Sequence, residues 1–238
     1  MEVMPGLHWV ERIWDTKVYL LSEGDQLIVI DAATPGRAGA VWSHMHSLGY
    51  GPQAVDEIWL THGDIDHIGC VAALKAASGA RVVSHRADAP LVDGSAEREL
   101  GPLPLSSVYQ RLYNWAVRSL FHYQPTPVDR KVVDGDNLGS WQAVHTPGHT
   151  AGSVCFYHPE RKIILVGDAL NHRRGRLGAP PAMFSPDMAQ AHASIRKIAQ
   201  LDFEVCCFGH GPPLMVDARP RVQAFAESLS AAALSRGA

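Results

Sequence analysis

Four strong metal-ligating side chains fall within six residues in Thr61-His62-Gly63-Asp64-Ile65-Asp66-His67, directly after the apolar run Ile58-Trp59-Leu60. Chain leaving a buried strand points alternate side chains the same way, so His62, Asp64 and Asp66 can converge while His67 turns toward a second centre. Carboxylates this close repel unless a cation or proton neutralises them, which favours metal binding over plain packing. The pattern recurs downstream. His149 sits in the turn Thr146-Pro147-Gly148-His149-Thr150 after strand-like Trp141 to Val144. Asp168 ends the run Lys162-Ile163-Ile164-Leu165-Val166-Gly167, and His210 follows Val205-Cys206-Cys207-Phe208-Gly209. Each unit is an apolar strand, a glycine and a ligand, the place where sheet proteins commonly put their sites.

The set His62-x-Asp64-x-Asp66-His67, His149, Asp168 and His210 resembles the metallo-β-lactamase-fold superfamily, including its glyoxalase II-like and lactonase-like members. The resemblance runs from about Val18 to Pro213 and takes in Val29-Ile30-Asp31 and Pro147-Gly148-His149-Thr150-x-Gly152-Ser153. It implies an α/β fold, an αββα four-layer sandwich, with a dinuclear metal site on one edge. It also implies that His62, Asp64 and His149 hold one ion, that Asp66, His67 and His210 hold the other, and that Asp168 bridges them.

The chain departs from the superfamily at one ligand. The usual motif is His-x-His-x-Asp-His, and Asp64 stands where its second histidine would be. With two divalent cations and a hydroxide, three aspartates leave no net charge, whereas a histidine at 64 would leave one positive charge. A less positive site acidifies bound water less, and oxygen donors favour harder ions. The expected cofactors are therefore two divalent metal ions, zinc first, with manganese or iron in competition.

Length and composition fit one domain over residues 1–238: 46% of residues are apolar and 19% charged, as in an ordinary globule. A net charge of −3 with scattered basic residues gives no electrostatic case for nucleic acid. No signal-like start or membrane-length apolar run stands out, so a cytoplasmic protein without a membrane partner is expected. Cys70, Cys155, Cys206 and Cys207 lack paired-ligand spacing and read as buried free thiols. The cluster Arg173-Arg174-Gly175-Arg176 could meet an anionic substrate group, although short charge runs are usually solvated loops.

Turn residues divide the rest. Val18 to Leu21 and Leu27 to Ile30 pair around Glu23-Gly24-Asp25, and a helix follows Pro35-Gly36 to about Leu48. His44 and His46 fall on that helix as surface residues. A second helix covers about Ile68 to Ala77, with a start as early as Asp66 open; Arg81 to Ser84 is a strand whose terminal His85 could approach the site but reads as structural, and Asp31 should orient a ligand or loop. Residues 171–182 read as a loop at the rim, where His172 could donate to a substrate oxyanion, although a loop histidine without that duty is the commoner case. Helices are expected from Pro186 to about Leu201 and from Arg221 to Leu234.

Between Gly101 and Pro127, Leu105, Val108, Leu112, Trp115 and Ser119 recur at helical spacing, with Tyr109, Tyr113, Leu120, Phe121 and Tyr123 beside them. Two roles compete for this helical insertion: a substrate-facing wall carrying Tyr113 and Trp115, or an ordinary core or homodimer helix. Two close cations would acidify a shared water and polarise a carbonyl or phosphoryl oxygen, and Asp66 could relay the proton. No Gly-x-Ser-x-Gly elbow supports serine hydrolysis. The expected function is metal-dependent hydrolysis of a small ester, thioester or lactone. The alternatives are a di-iron oxidoreductase or oxygenase, a β-lactamase, a phosphoester or organophosphate hydrolase, or a non-catalytic metal-binding protein.

Overall fold

Apolar residues run nearly unbroken along the main strands of this chain, so both faces of each sheet are buried and two sheets with three layers of core result. The computed structural model describes residues 1–102, 106–119 and 123–234. The first sheet has seven strands in chain order: β1 (Glu2–Met4), β2 (Leu7–Trp9), β3 (Tyr19–Glu23), β4 (Gln26–Ile30), β5 (Val55–Trp59), β6 (Arg81–His85) and β7 (Arg130–Val132). Its neighbours are antiparallel as far as β4 and parallel from β4 to β7. Parallel pairing needs crossovers, which run through α1 (Ala38–Ser47), α2 (Ile65–Ile68), α3 (Val71–Ser78), α4 (Ala89–Val92) and α5 (Ser106–Ser119).

The second sheet comprises β8 (Asn137–Leu138), β9 (Trp141–His145), β10 (Val154–His158) and β11 (Ile163–Leu165). A separate hairpin, β12 (Asn171–Arg173) and β13 (Arg176–Gly178), follows. The chain then runs through α6 (Met188–Ala199) into β14 (Val205–Cys207), parallel to β11, and closes with α7 (Ala218–Leu234).

Period-two burial sorts the side chains. Leu21, Ile28, Ile30, Trp59 and Val83 face Trp141, Ala143, Phe156, Ile163 and Leu165 between the sheets, with the Trp59 ring 5.0 Å from Phe156 and 6.3 Å from Trp141. The intervening residues Leu20, Val29, Ile58 and Val82 pack outward on Val41 and Met45 of α1 and Val71 and Leu74 of α3. On the far side, Val144, Cys155, Ile164 and Cys206 meet Ile195 and Ile198 of α6 and Val222 of α7. The result is the expected αββα sandwich.

Several elements differ from the sequence reading. The helix expected over Ile68 to Ala77 is two, broken at Gly69, where a Cβ would lie 2.2 Å from Pro35 Cδ and 2.6 Å from the Ala33 carbonyl oxygen. That close approach clamps the 31–35 loop to the ligand motif, with Ala32 N–H donating to the His67 carbonyl at 2.6 Å. The expected loop at 171–182 contains the β12–β13 hairpin, because Arg174 and Gly175 both adopt positive φ (53° and 76°) and turn the chain tightly. The helices begin within a few residues of their expected starts, and Asp187 caps α6 by accepting from Gln190 N–H at 2.8 Å. Among the described residues no helix is long and apolar enough to cross a membrane.

Candidate metal centre

Loops leaving β5, β9, β11 and β14 bring the seven candidate ligands to one edge of the sandwich. Ligand atoms of His62, Asp64 and His149 lie within 4.8 Å of one another, as do those of Asp66, His67 and His210 and those of His62, His67 and Asp168. The rings of His62 and His67 are 4.1 Å apart. Asp168 lies between the two groups: Oδ1 is 3.4 Å from His67 Nε2, while Oδ2 is 3.2 Å from His210 Nε2 and 3.8 Å from His149 Nε2.

Each of the four imidazoles has Nδ1 against an oxygen, which leaves Nε2 directed at the carboxylates. His67 Nδ1 donates to Asp31 Oδ2 at 2.8 Å, and His210 Nδ1 donates to the Asp15 carbonyl at 2.7 Å. Thr61 Oγ1 donates to Asp31 and so accepts from His62 Nδ1 at 3.0 Å; Ser185 Oγ donates to the Pro181 carbonyl and so accepts from His149 Nδ1 at 3.2 Å. Such partners fix the tautomer that offers a lone pair at Nε2.

At His62 and His149 that lone pair has no ordinary use. His62 Nε2, His149 Nε2 and Asp168 Oδ1 are buried without a hydrogen-bond partner, and His149 Nε2 lies 3.0 Å from Asp64 Oδ2. Two acceptors at that separation repel unless a cation or proton lies between them. Space is reserved as well: a Cβ at Gly209 would sit 2.2 Å from Asp168 Oδ1 and 2.7 Å from His67 Cε1. The donor set therefore fits a pair of divalent ions.

Charge couples the cluster. Burial would raise the Asp64 carboxyl, but Arg98, then His149 and His62, hold it well below the usual range. Burial likewise opposes the ionised form of Asp168, yet His67 and His210 hold that carboxyl low. Burial and then the charge of His67 push His62 well below its ordinary value. For His210, hydrogen bonds to Asp168 and Asp66 outweigh burial and raise it to about 9.

Some contributors lay outside the sequence reading. Asp88, absent from every motif, accepts from Gly63 N–H, Gly152 N–H and Thr150 Oγ1 at 2.7–2.8 Å and so ties the β5 loop to the β9 loop. Thr16 Oγ1 lies 3.2 Å from His67 Nε2. Arg98 is buried against Asp64. Their partners are 25 to 64 positions away, so spacing carried no signal of them.

The expected substrate-facing residues divide. Tyr113 is half-buried and lines a cavity of about 290 Å³ beside Arg98, with its ring 6.3 Å from Phe184. Trp115, two positions on, is 57% exposed and lines none of the described cavities, because a two-residue step on a helix turns a side chain to nearly the opposite face. Of the two residues expected in a substrate-facing wall, Tyr113 lines a cavity and Trp115 does not. The Val108, Leu112 and Trp115 stripe faces solvent, which also removes the core-helix expectation within this chain. Leu105, Leu120 and Phe121 lie outside the described residues.

His172 is buried, its Nδ1 donates to the Pro212 carbonyl at 2.8 Å, and its Nε2 is buried without a hydrogen-bond partner. Arg173, Arg174 and Arg176 are exposed around the hairpin tip, with Arg173 and Arg174 on the rim of a cavity of about 490 Å³ that also reaches Lys17 and His210. His85 stacks on His145 at 4.0 Å, outside the cluster, and His44 is half-buried beside His8. All four cysteines are free and buried, and burial lifts the Cys155 thiol to about 12.

Comparison with known proteins decides the family. Residues 13–210 match the model of the metallo-beta-lactamase superfamily. The chain belongs to this superfamily. It is 30% identical over 233 residues to the probable metallo-hydrolase YflN of Bacillus subtilis, covering 90% of this chain and 86% of that protein. A hydroxyacylglutathione hydrolase of Cereibacter sphaeroides is 28% identical over 205 residues, 80% of this chain and 63% of that protein. Among solved structures, the metallo-beta-lactamase family protein TTHA1429 of Thermus thermophilus superposes with a TM-score of 0.76 at 24% identity, over 97% of this chain and 81% of that one. TTHA1623, solved in a di-iron-bound form, gives a TM-score of 0.64 at 28% identity, over 86% of this chain and 92% of that one. The metallo-hydrolase relatives make this superfamily member an enzyme of hydrolytic type.

Proposed function

We propose that the chain is a dinuclear metal-dependent hydrolase of small esters, thioesters or lactones. One observation carries this reading: four imidazoles locked through Nδ1 turn Nε2 onto three buried or half-buried carboxylates. His62, Asp64 and His149 would hold one ion, Asp66, His67 and His210 the other, and Asp168 would contact both. Two divalent cations bound there would supply Lewis acidity toward a carbonyl oxygen and lower the pKa of a water to the neutral range.

The chain's own residues would do the rest. Asp66 is the least buried acid of the set, its side chain 31% exposed against 10% for Asp64 and for Asp168. It is the acid placed to accept a proton from attacking water and return it to the leaving oxygen or sulfur. Ile65, Leu91, Tyr113, Tyr123 and Pro125 give the 290 Å³ cavity an apolar lining suited to an acyl or alkyl group. The thioester choice draws on the hydroxyacylglutathione hydrolase relative. β-Lactam and phosphoester substrates share the same carbonyl or phosphoryl chemistry and belong in the same assay. Zinc suits the histidine-rich set, with manganese or iron favoured by its oxygen donors. The four free cysteines accord with a reducing cytosol.

Reconstitution with zinc, manganese or iron, followed by a panel of esters, thioesters, lactones, β-lactams and phosphoesters, tests the proposal. Metal-dependent acid release that disappears in Asp168→Ala is expected. Oxygen consumption with no hydrolysis would favour the second reading, a di-iron oxidoreductase, which the Asp64 carboxylate and the di-iron neighbour support.

A further inference from the structure

We propose that Arg98 is a positioning residue for Asp64, and that the pair serves the first ion position as one neutral histidine would. This inference rests on reading the cluster as a metal centre. Arg98 is 8% exposed. Its guanidinium meets the Asp64 carboxylate side-on through Nε and Nη2, the latter 3.2 Å from Oδ2. Nη2 also donates to the His149 carbonyl at 2.9 Å and the Phe184 carbonyl at 2.6 Å, and Nη1 donates to the Glu99 carbonyl. One buried cation thus holds the side chain of one candidate ligand and the backbone of another.

Two consequences follow from that geometry. An aspartate carries a negative charge where a histidine carries none, and a guanidinium at hydrogen-bond distance in a buried site cancels most of it. The side-on contact also fixes the carboxylate plane, which leaves Oδ2 near His149 Nε2 at 3.0 Å and His62 Nε2 at 3.8 Å. The first position is thereby offered two imidazole nitrogens and one oriented oxygen, at the net charge a third histidine would give. The charge part of the case for manganese or iron falls away; the preference of an oxygen donor for harder ions remains.

A guanidinium that merely braced the 95–99 segment would be indifferent to the residue at 64. The discriminating experiment is a double-mutant cycle of the parent, Asp64→His, Arg98→Met and Asp64→His/Arg98→Met. Zinc affinity is read by competition with a chromophoric chelator, and folding by circular dichroism. Asp64→His alone strands a buried guanidinium and should weaken zinc binding by on the order of tenfold or more. The double variant should recover most of that loss, and Arg98→Lys, which keeps the charge without the fork, should fall between parent and Arg98→Met. Should Asp64→His fail to fold, refolding in the double variant reads the same coupling. Additive affinities in a zinc-binding parent, or Asp64→His binding as tightly as the parent, would overturn the role of Arg98 and leave the metal centre standing. A parent that takes up none of zinc, manganese or iron would remove both.

Discussion

At the level of single residues, the ligands announce themselves because metal donors are rare side chains in dense local order. His62, Asp64, Asp66 and His67 share one loop, and Asp31 was legible as an orienting acid because it ends a strand just upstream. It receives Thr61 N–H at 2.8 Å and His67 Nδ1. Arg98 and Asp88 were illegible, since their chemistry exists only once remote loops meet. Substrate contacts were half legible: helical spacing marked α5, but the face that turns inward depends on packing. Tyr113→Ala should raise KM for apolar acyl substrates severalfold with kcat changed less, whereas Trp115→Ala should leave both near parental values. Steady-state kinetics on several good substrates checks this, and equal effects at the two positions would contradict the assignment.

Among elements, the long period-two strands and the ends of the main helices were readable from apolar runs and turn residues. The three-residue strands β1, β2, β12 and β13 were not, because they lack the unbroken apolar runs that marked the equally short β11 and β14. The loops are held by polar clamps between elements, and Asp88 is the main one joining the β5 and β9 loops. Asp88→Ala removes three hydrogen bonds and leaves buried donors at Gly63 and Gly152 unpaired. The expected cost is about 3 kcal/mol of unfolding free energy, together with weaker metal binding at the position shared by His62 and His149. Urea denaturation measures the first effect and chelator competition the second; a loss below about 0.5 kcal/mol would show that the clamp is dispensable.

For the whole molecule, the sandwich is steadied by burial of neutral groups as well as apolar ones. His85 is buried against His145, and Ala87 N–H donates to its Nδ1 at 3.3 Å, which requires a ring without a proton there. Burial and then the charge of His145 lower its pKa from 6.5 to about 4. The unfolded chain therefore binds more protons between those values, so the stability this group contributes is full above pH 6.5 and is lost as pH falls toward 4. Denaturation at neutral and mildly acidic pH should show a larger loss in the parent than in His85→Phe. Equal losses would mean that other groups govern the acid limb.

All of these expectations depend on the ligand cluster holding ions, and the metal content of chelator-stripped, reloaded and desalted protein tests that most directly. Two divalent ions per chain, falling to one or none in Asp168→Ala at unchanged secondary structure, is the predicted result. A parent that retains no ion, or an Asp168→Ala variant that retains two as tightly, would contradict the account.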